Sequence, residues 1–130
     1  MSPLATTIHN PASIPAPIGN YALALGVPAG KRLVFVSGQI PEALDGSIPA
    51  DFPAQCRLVW AHVRACIEAA GLTLNHIVKV NTYLTRREDA ESNSVIRREI
   101  LGAHQPALTV LVAGTLDPRW LLELEVIAAE

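Results

Sequence analysis

The 130-residue sequence has few aromatic side chains and few charges, and each shortage limits what the protein can be. Aromatic residues make up 5% and hydrophobic residues 50%, so the core of a single domain must be built mainly from aliphatic side chains. The net charge is −2 and no basic run is present, which argues against electrostatic binding of nucleic acid. We interpret the pairs Arg86-Arg87 and Arg97-Arg98 as solvated surface charges.

The sequence also lacks long apolar runs, clustered metal ligands and more than two cysteines. No run approaches the ~20 residues of a membrane helix, and the first residues lack a signal-peptide pattern, so we expect a cytoplasmic protein with no membrane partner. Cys56 and Cys66 fall on one predicted helix about 15 Å apart, too far for a disulfide, and we expect both to be buried thiols. The histidines are scattered, and we expect no metal site.

Hydrophobic spacing predicts two helices. The first runs from Asp51 to Ala70, where apolar side chains recur three and four residues apart, and Gly71 is placed to end it. The second runs from Asp89 to Leu101 and stops at Gly102.

Apolar and β-branched runs predict strands, among them residues 21–25, 32–38, 76–84, 107–113 and 120–128. We expect the order β-β-β-α-β-α-β-β in one α+β domain spanning residues 1–130, with both helices on one face of a mixed sheet. The other face of that sheet would be bare unless subunits covered it, so we also expect an oligomer.

The last predicted strand alternates between two faces. Leu122, Leu124 and Val126 share one face, while Glu123 and Glu125 share the other, about 7 Å apart at ~3.3 Å per residue. Such carboxylates indicate either a solvated face or edge protection, or else an acid/base group in a cleft.

Several segments taken in order resemble the Rid family of reactive intermediate deaminases, also called the YjgF-like or L-PSP endoribonuclease family. SGQIP, then the helix ending EAAGL, then IVKVNTYLT is a specific succession, and the resemblance covers nearly the whole chain. The matching segments are 15–25, 34–41, 54–72, 77–85, Asn93, 105–114 and 122–128.

The resemblance implies a fold, an assembly and an activity. The fold is chorismate-mutase-like, in a homotrimer whose sheets line a central barrel and whose intersubunit clefts bind small ligands. The best-studied branch hydrolyses 2-imino or enamine acids to 2-keto acids and ammonia, without a metal or a cofactor. No nucleic-acid or membrane partner is expected.

The resemblance also assigns roles to individual residues. The catalytic residues are Glu123, which positions the hydrolytic water, and Tyr21, which lines the pocket and follows Asn20 where the family usually has Pro. The residues expected to bind substrate are Gly38, Asn93, Leu108 and Thr109. The residues alone leave an alternative for three of these roles. Tyr21 is equally consistent with packing. Asn93 is equally consistent with a contact from the second helix to a neighbouring loop, and Thr109 with a local hydrogen bond.

Leu108 is where the sequence departs from the family. The active branch has an Arg at this position, which pairs with the substrate carboxylate. Leu108 instead predicts an apolar wall that rejects a free carboxylate, because a bidentate Arg–carboxylate pair supplies both geometry and attraction. Arg32 and Arg119 are the candidates to replace this Arg, although neither occupies the matching position.

These observations predict a Rid-family protein that binds a small metabolite in an intersubunit cleft and hydrolyses an imine or enamine without the usual carboxylate anchor. One alternative is a non-catalytic trimer that binds a ligand or acts like a chaperone. A second alternative is RNA cleavage, against which the acidic composition argues.

Overall fold

The computed structural model describes residues 4–130, and its secondary structure follows the predicted order. None of the helices in these residues is both long enough and apolar enough to span a bilayer. The elements are strands β1 (Thr7–His9), β2 (Ala24–Gly26) and β3 (Leu33–Gln39), helix α1 (Phe52–Ala69), strand β4 (Ile77–Leu84), helix α2 (Ala90–Leu101), and strands β5 (Ala107–Val112) and β6 (Leu122–Ala129).

The main sheet has four strands in the order β3-β6-β4-β5. β4 and β5 are parallel and the other neighbours are antiparallel, which confirms the mixed α+β sheet. Helix α1 packs on β6 and β3 and lies beside α2. The strand predicted at residues 21–25 is observed as β2, which is shorter and begins three residues later. β2 pairs only with β1, in a separate two-stranded sheet.

Local sequence explains where α1 begins and ends. The Asp51 carboxylate accepts a 2.9 Å hydrogen bond from the backbone N–H of Ala54, and Pro53 is tolerated in the first turn because its missing N–H would have no intrahelical partner there. Gly71 follows the helix with φ +78°, a left-handed conformation that favours glycine.

Alternation along β6 fills the core from one face only. Leu122, Leu124 and Val126 are buried against the helices, whereas Glu123 and Glu125 point to the opposite face. We call that opposite face of the sheet the bare face. It carries large apolar side chains in solvent, with Phe35 on β3 at 70% exposure and Leu111 on β5 at 42%.

A buried side-chain amide in α1 fixes the loop that leads into β6. Gln55 is 2% exposed, and its side-chain Nε2 donates to the carbonyls of Pro49 (2.8 Å) and Arg119 (2.9 Å). Its Oε1 accepts from the backbone N–H of Leu121 at 2.8 Å. These three bonds fix the chain just before Glu123.

The two cysteines differ in their surroundings. Cys56 is buried, and this burial raises the pKa of its thiol to about 12. The expectation of a second buried thiol is wrong, since Cys66 is exposed. Position 66 lies just outside the buried stripe, which passes through Val63 and Ile67.

Candidate functional site

A cleft of about 480 Å³ opens between α2, the start of β5 and the loop at residues 18–21. Four of the predicted site residues line it: Tyr21 from the loop, Asn93 from α2, and Leu108 and Thr109 from β5. The volume lies in the range usual for small-molecule sites.

Asn20 anchors the loop that carries Tyr21. Its side-chain Nδ2 donates to the carbonyl of Gly102 at 2.7 Å, and its Oδ1 accepts from the side chain of Gln105. The backbone N–H of Ala22 donates to the carbonyl of Pro106 at 3.1 Å. These bonds tie the loop to the connection between α2 and β5, so the residue that replaces the family's usual Pro helps to fix one wall of the cleft.

Two of the lining residues have partners of their own. Asn93 is 2% exposed, and its Oδ1 lies 3.9 Å from the Cys56 thiol, which donates to it. The hydroxyl of Thr109 accepts from the Lys79 ammonium at 3.0 Å. Asn93 therefore contacts α1 rather than a loop, and the Thr109 hydroxyl is engaged across the strands.

Leu108 lies at the inner wall of the cleft. It is half-buried and packs against the hydrophobic core, beside Val80 of the neighbouring strand. The cleft wall is therefore apolar at the position where the resemblance to the Rid family led us to expect an Arg.

The same cleft contains a charge that the sequence interpretation missed. Arg97 lines the cleft and is only 5% exposed, so the prediction of a solvated surface charge is wrong for this residue. Position 97 follows Asn93 by one helical turn and precedes Leu101 by another, and both of those residues are also buried. This spacing was the available signal, because residues four apart share a helix face.

Gly38 and Glu123 come together at a different place. β3 changes register against β6 between Val36 and Gln39, and the Glu123 side chain lies against the Gly38 backbone there. A Cβ at position 38 would overlap the Glu123 carboxylate. The need for glycine is thus explained by the carboxylate that occupies the space.

The two carboxylates of β6 have different surroundings. Glu125 accepts hydrogen bonds from Tyr83 Oη at 2.7 Å and Asn81 Nδ2 at 3.0 Å, and these bonds lower its pKa. No hydrogen bond within residues 4–130 engages the Glu123 carboxylate. Glu123 is therefore the one of this pair that is available to a water molecule.

The predicted site residues thus form two groups within one chain. Glu123 is aligned with Tyr83 of β4, which is aligned with Leu111 of β5, three residues beyond Leu108. At ~4.8 Å per strand and ~3.3 Å per residue, Leu108 and Glu123 are about 14 Å apart, and they face opposite sides of the sheet. One chain does not assemble the six predicted residues in a single pocket.

Replacing Gly38 by Ala is expected to displace the Glu123 carboxylate, because the added methyl group occupies its position. In the catalytic role that the resemblance assigns to Glu123, a displacement of about 1 Å should lower activity by about 10²-fold. Gly114→Ala is the matched control, since a Cβ there meets nothing within 4 Å. Ammonia release by the two variants measures the effect, and equal activity would show that the placement of Glu123 does not matter.

No group of three or more His, Cys, Asp and Glu side chains in residues 4–130 is arranged to hold a metal ion. The side chains at the two places include a carboxylate, a phenol, a guanidinium, an amide and a hydroxyl.

Comparison with known proteins identifies relatives over nearly the full length. The family model described as Endoribonuclease L-PSP matches residues 11–130. A RutC family protein of Pyrococcus horikoshii is 36% identical over 88% of this chain and 90% of its own length. A protein of Escherichia coli named "Putative reactive intermediate deaminase TdcF" is 35% identical over 88% of this chain and 89% of its own.

Solved structures agree with these matches. E. coli TdcF with bound serine superposes with a TM-score of 0.72 at 32% identity, covering 95% of this chain and 98% of that one. A Rid-family protein from Yersinia pestis, YyfB, gives a TM-score of 0.85 over 96% and 98% of the two chains, and at 21% identity it shows the fold alone.

Proposed function

The chain belongs to the endoribonuclease L-PSP, or Rid, family, and we propose from this membership and from its two groups of site residues that it hydrolyses a small imine or enamine. The observation that carries the proposal is the Glu123 carboxylate, held against Gly38 and free of protein hydrogen bonds within the described residues. The name of TdcF and the serine in its crystal structure support a small-molecule ligand and deaminase chemistry. We place this activity in the cytoplasm.

The site is completed between subunits of a homotrimer. Gly38 and Glu123 of one subunit meet the cleft of a neighbour, because the two groups are too far apart within one chain. The bare face supports this assembly, since Phe35 and Leu111 leave apolar surface in solvent that a partner would cover.

The hydrolysis proceeds by addition of water and loss of ammonia. The Glu123 carboxylate accepts a proton from water as the water oxygen bonds to the carbon of the C=N group, and Glu123 then passes this proton to the nitrogen. As the C–N bond of the resulting carbinolamine breaks, its hydroxyl proton is transferred to the nitrogen, so the carbon becomes a carbonyl and the nitrogen leaves as ammonia. Tyr21 donates a hydrogen bond to the developing polar group from the cleft wall.

Ammonia release from 2-iminobutyrate tests the proposal. The purified protein is expected to release ammonia well above the spontaneous rate, with 2-oxobutyrate formed in equal amount. A ligand-dependent rise in melting temperature without turnover of any imine would contradict the proposal and favour the non-catalytic alternative. Salt-sensitive RNA binding would favour the nuclease alternative.

A further inference from the structure

Arg97 is buried in the cleft without a counter-ion. No carboxylate oxygen within residues 4–130 lies within 4.0 Å of its guanidinium. Its Nε is buried with no hydrogen-bond partner, and Nη2 makes one long bond, 3.4 Å, to the Ser94 hydroxyl. A guanidinium has five N–H donors, and nearly all buried polar groups in folded proteins are paired.

Other arginines of the chain show the opposite arrangement. Four of them keep side-chain exposures of 45% or more, and each still has a carboxylate partner; these are Arg32, Arg57, Arg86 and Arg119. Arg97 is more deeply buried than any of these four and has no carboxylate partner within residues 4–130. Burial lowers the pKa of Arg97, but an arginine side chain remains protonated in proteins.

The space around Arg97 fits a small ligand. A Cβ at Gly19 would lie 3.7 Å from Nη2 and 3.5 Å from the Tyr21 ring, so the glycine leaves room beside both groups. Leu108 and Val110 line the same cleft and offer an apolar surface to an alkyl side chain. The cleft therefore offers both a cation for an anion and an apolar surface for a short hydrocarbon.

We propose that Arg97 is the residue that binds the carboxylate of the ligand, so that helix α2 supplies the anchor that the family's active branch carries on β5 at the position of Leu108. The planar guanidinium binds both oxygens of a carboxylate, and burial strengthens the pair. The ligand class is a small 2-imino or 2-keto acid with an alkyl side chain. The identity of the substrate rests on the proposed imine hydrolysis, whereas binding of the carboxylate does not. This proposal differs from the expectation, drawn from Leu108 alone, of a cleft that rejects a free carboxylate.

Binding of 2-oxobutyrate, compared with its neutral amide, tests the proposal in the wild-type protein. We expect the acid to bind at least about 30-fold more tightly than the amide, as for a buried charge pair. The Nε–H resonance of Arg97 in a ¹H–¹⁵N spectrum should shift on titration with the acid. Equal affinities, or an Nε–H resonance that the acid does not move, would overturn the proposal without any variant.

Variants separate Arg97 from its neighbours. Arg97→Gln should weaken acid binding by about 30-fold and leave amide binding unchanged. Arg98→Gln is the matched control, because Arg98 is exposed on the same helix. Adding Leu108→Arg to Arg97→Gln should not restore the lost affinity, because the proposed anchor belongs on α2 and not on β5. Acid binding that stays tight in Arg97→Gln would overturn the proposal.

Stability and turnover distinguish the remaining outcomes. Removing an unpaired buried charge should not destabilise the free protein, so Arg97→Met is expected to raise the melting temperature by about 3 to 5 °C. If the melting temperature falls in Arg97→Met, and falls by the same amount in Glu123→Gln, then Arg97 pairs with a group of a neighbouring subunit and the proposal is wrong. If the acid binds through Arg97 but no imine is hydrolysed, the proposed function fails and this inference stands.

Discussion

Replacement of Glu123 by Gln is expected to lower kcat for imine hydrolysis by about 10²- to 10⁴-fold, the usual contribution of a positioned general base. The amide keeps the size of the side chain and can still accept a hydrogen bond from water, but it cannot accept the proton as the C–O bond forms. KM should change little, because we propose that the substrate carboxylate binds to Arg97 and not to Glu123. Steady-state ammonia release with 2-iminobutyrate measures both parameters.

Glu125→Gln is the matched control for this result. Glu125 lies two residues further along β6 on the same face, and its carboxylate is already engaged by Tyr83 and Asn81. Its replacement changes the net charge by the same amount without removing a carboxylate that is available to water. If both variants lose activity equally, the effect is one of charge or assembly and Glu123 is not the base.

The fold was predictable because each element carries its own periodic signal. Alternation along residues 120–128 predicted which side chains of β6 face the core, and the 3/4 spacing after Asp51 predicted α1 to within a residue at either end. The separate pairing of β2 with β1 was not predictable, because three-residue strands carry too little pattern and are decided by tertiary contacts.

The candidate site was predictable only in its parts. Asn93 and Leu108 were recognised one by one, and the structure places them in one cleft. Arg97 was missed because two adjacent arginines usually lie on the surface. Only the four-residue spacing from Asn93 indicates that position 97 is buried while position 98 is exposed. The separation of Glu123 from Leu108 also depends on strand order, which no local pattern encodes.

Mixed trimers of two inactive variants are expected to regain activity if the site is shared between subunits. Gly19→Trp fills the space beside Tyr21 and Arg97, and Glu123→Gln removes the base, so either variant alone should be almost inactive. In every trimer that contains both variants, about one of the three intersubunit sites combines the intact half of each chain, so roughly a third of wild-type activity is expected. Co-expression with two different tags, purification through both, and ammonia release measure the recovery.

A pair of variants damaged in the same half-site is the control for this recovery. Gly38→Ala and Glu123→Gln both affect the carboxylate group of the site, so no combination of these subunits restores an intact site. Recovery in the first pair but not in the second would require that the Gly19 and Glu123 regions of one site come from different chains. Absence of recovery in doubly tagged trimers would contradict the shared site, and the 14 Å separation estimated from the sheet would then have to be closed within one chain.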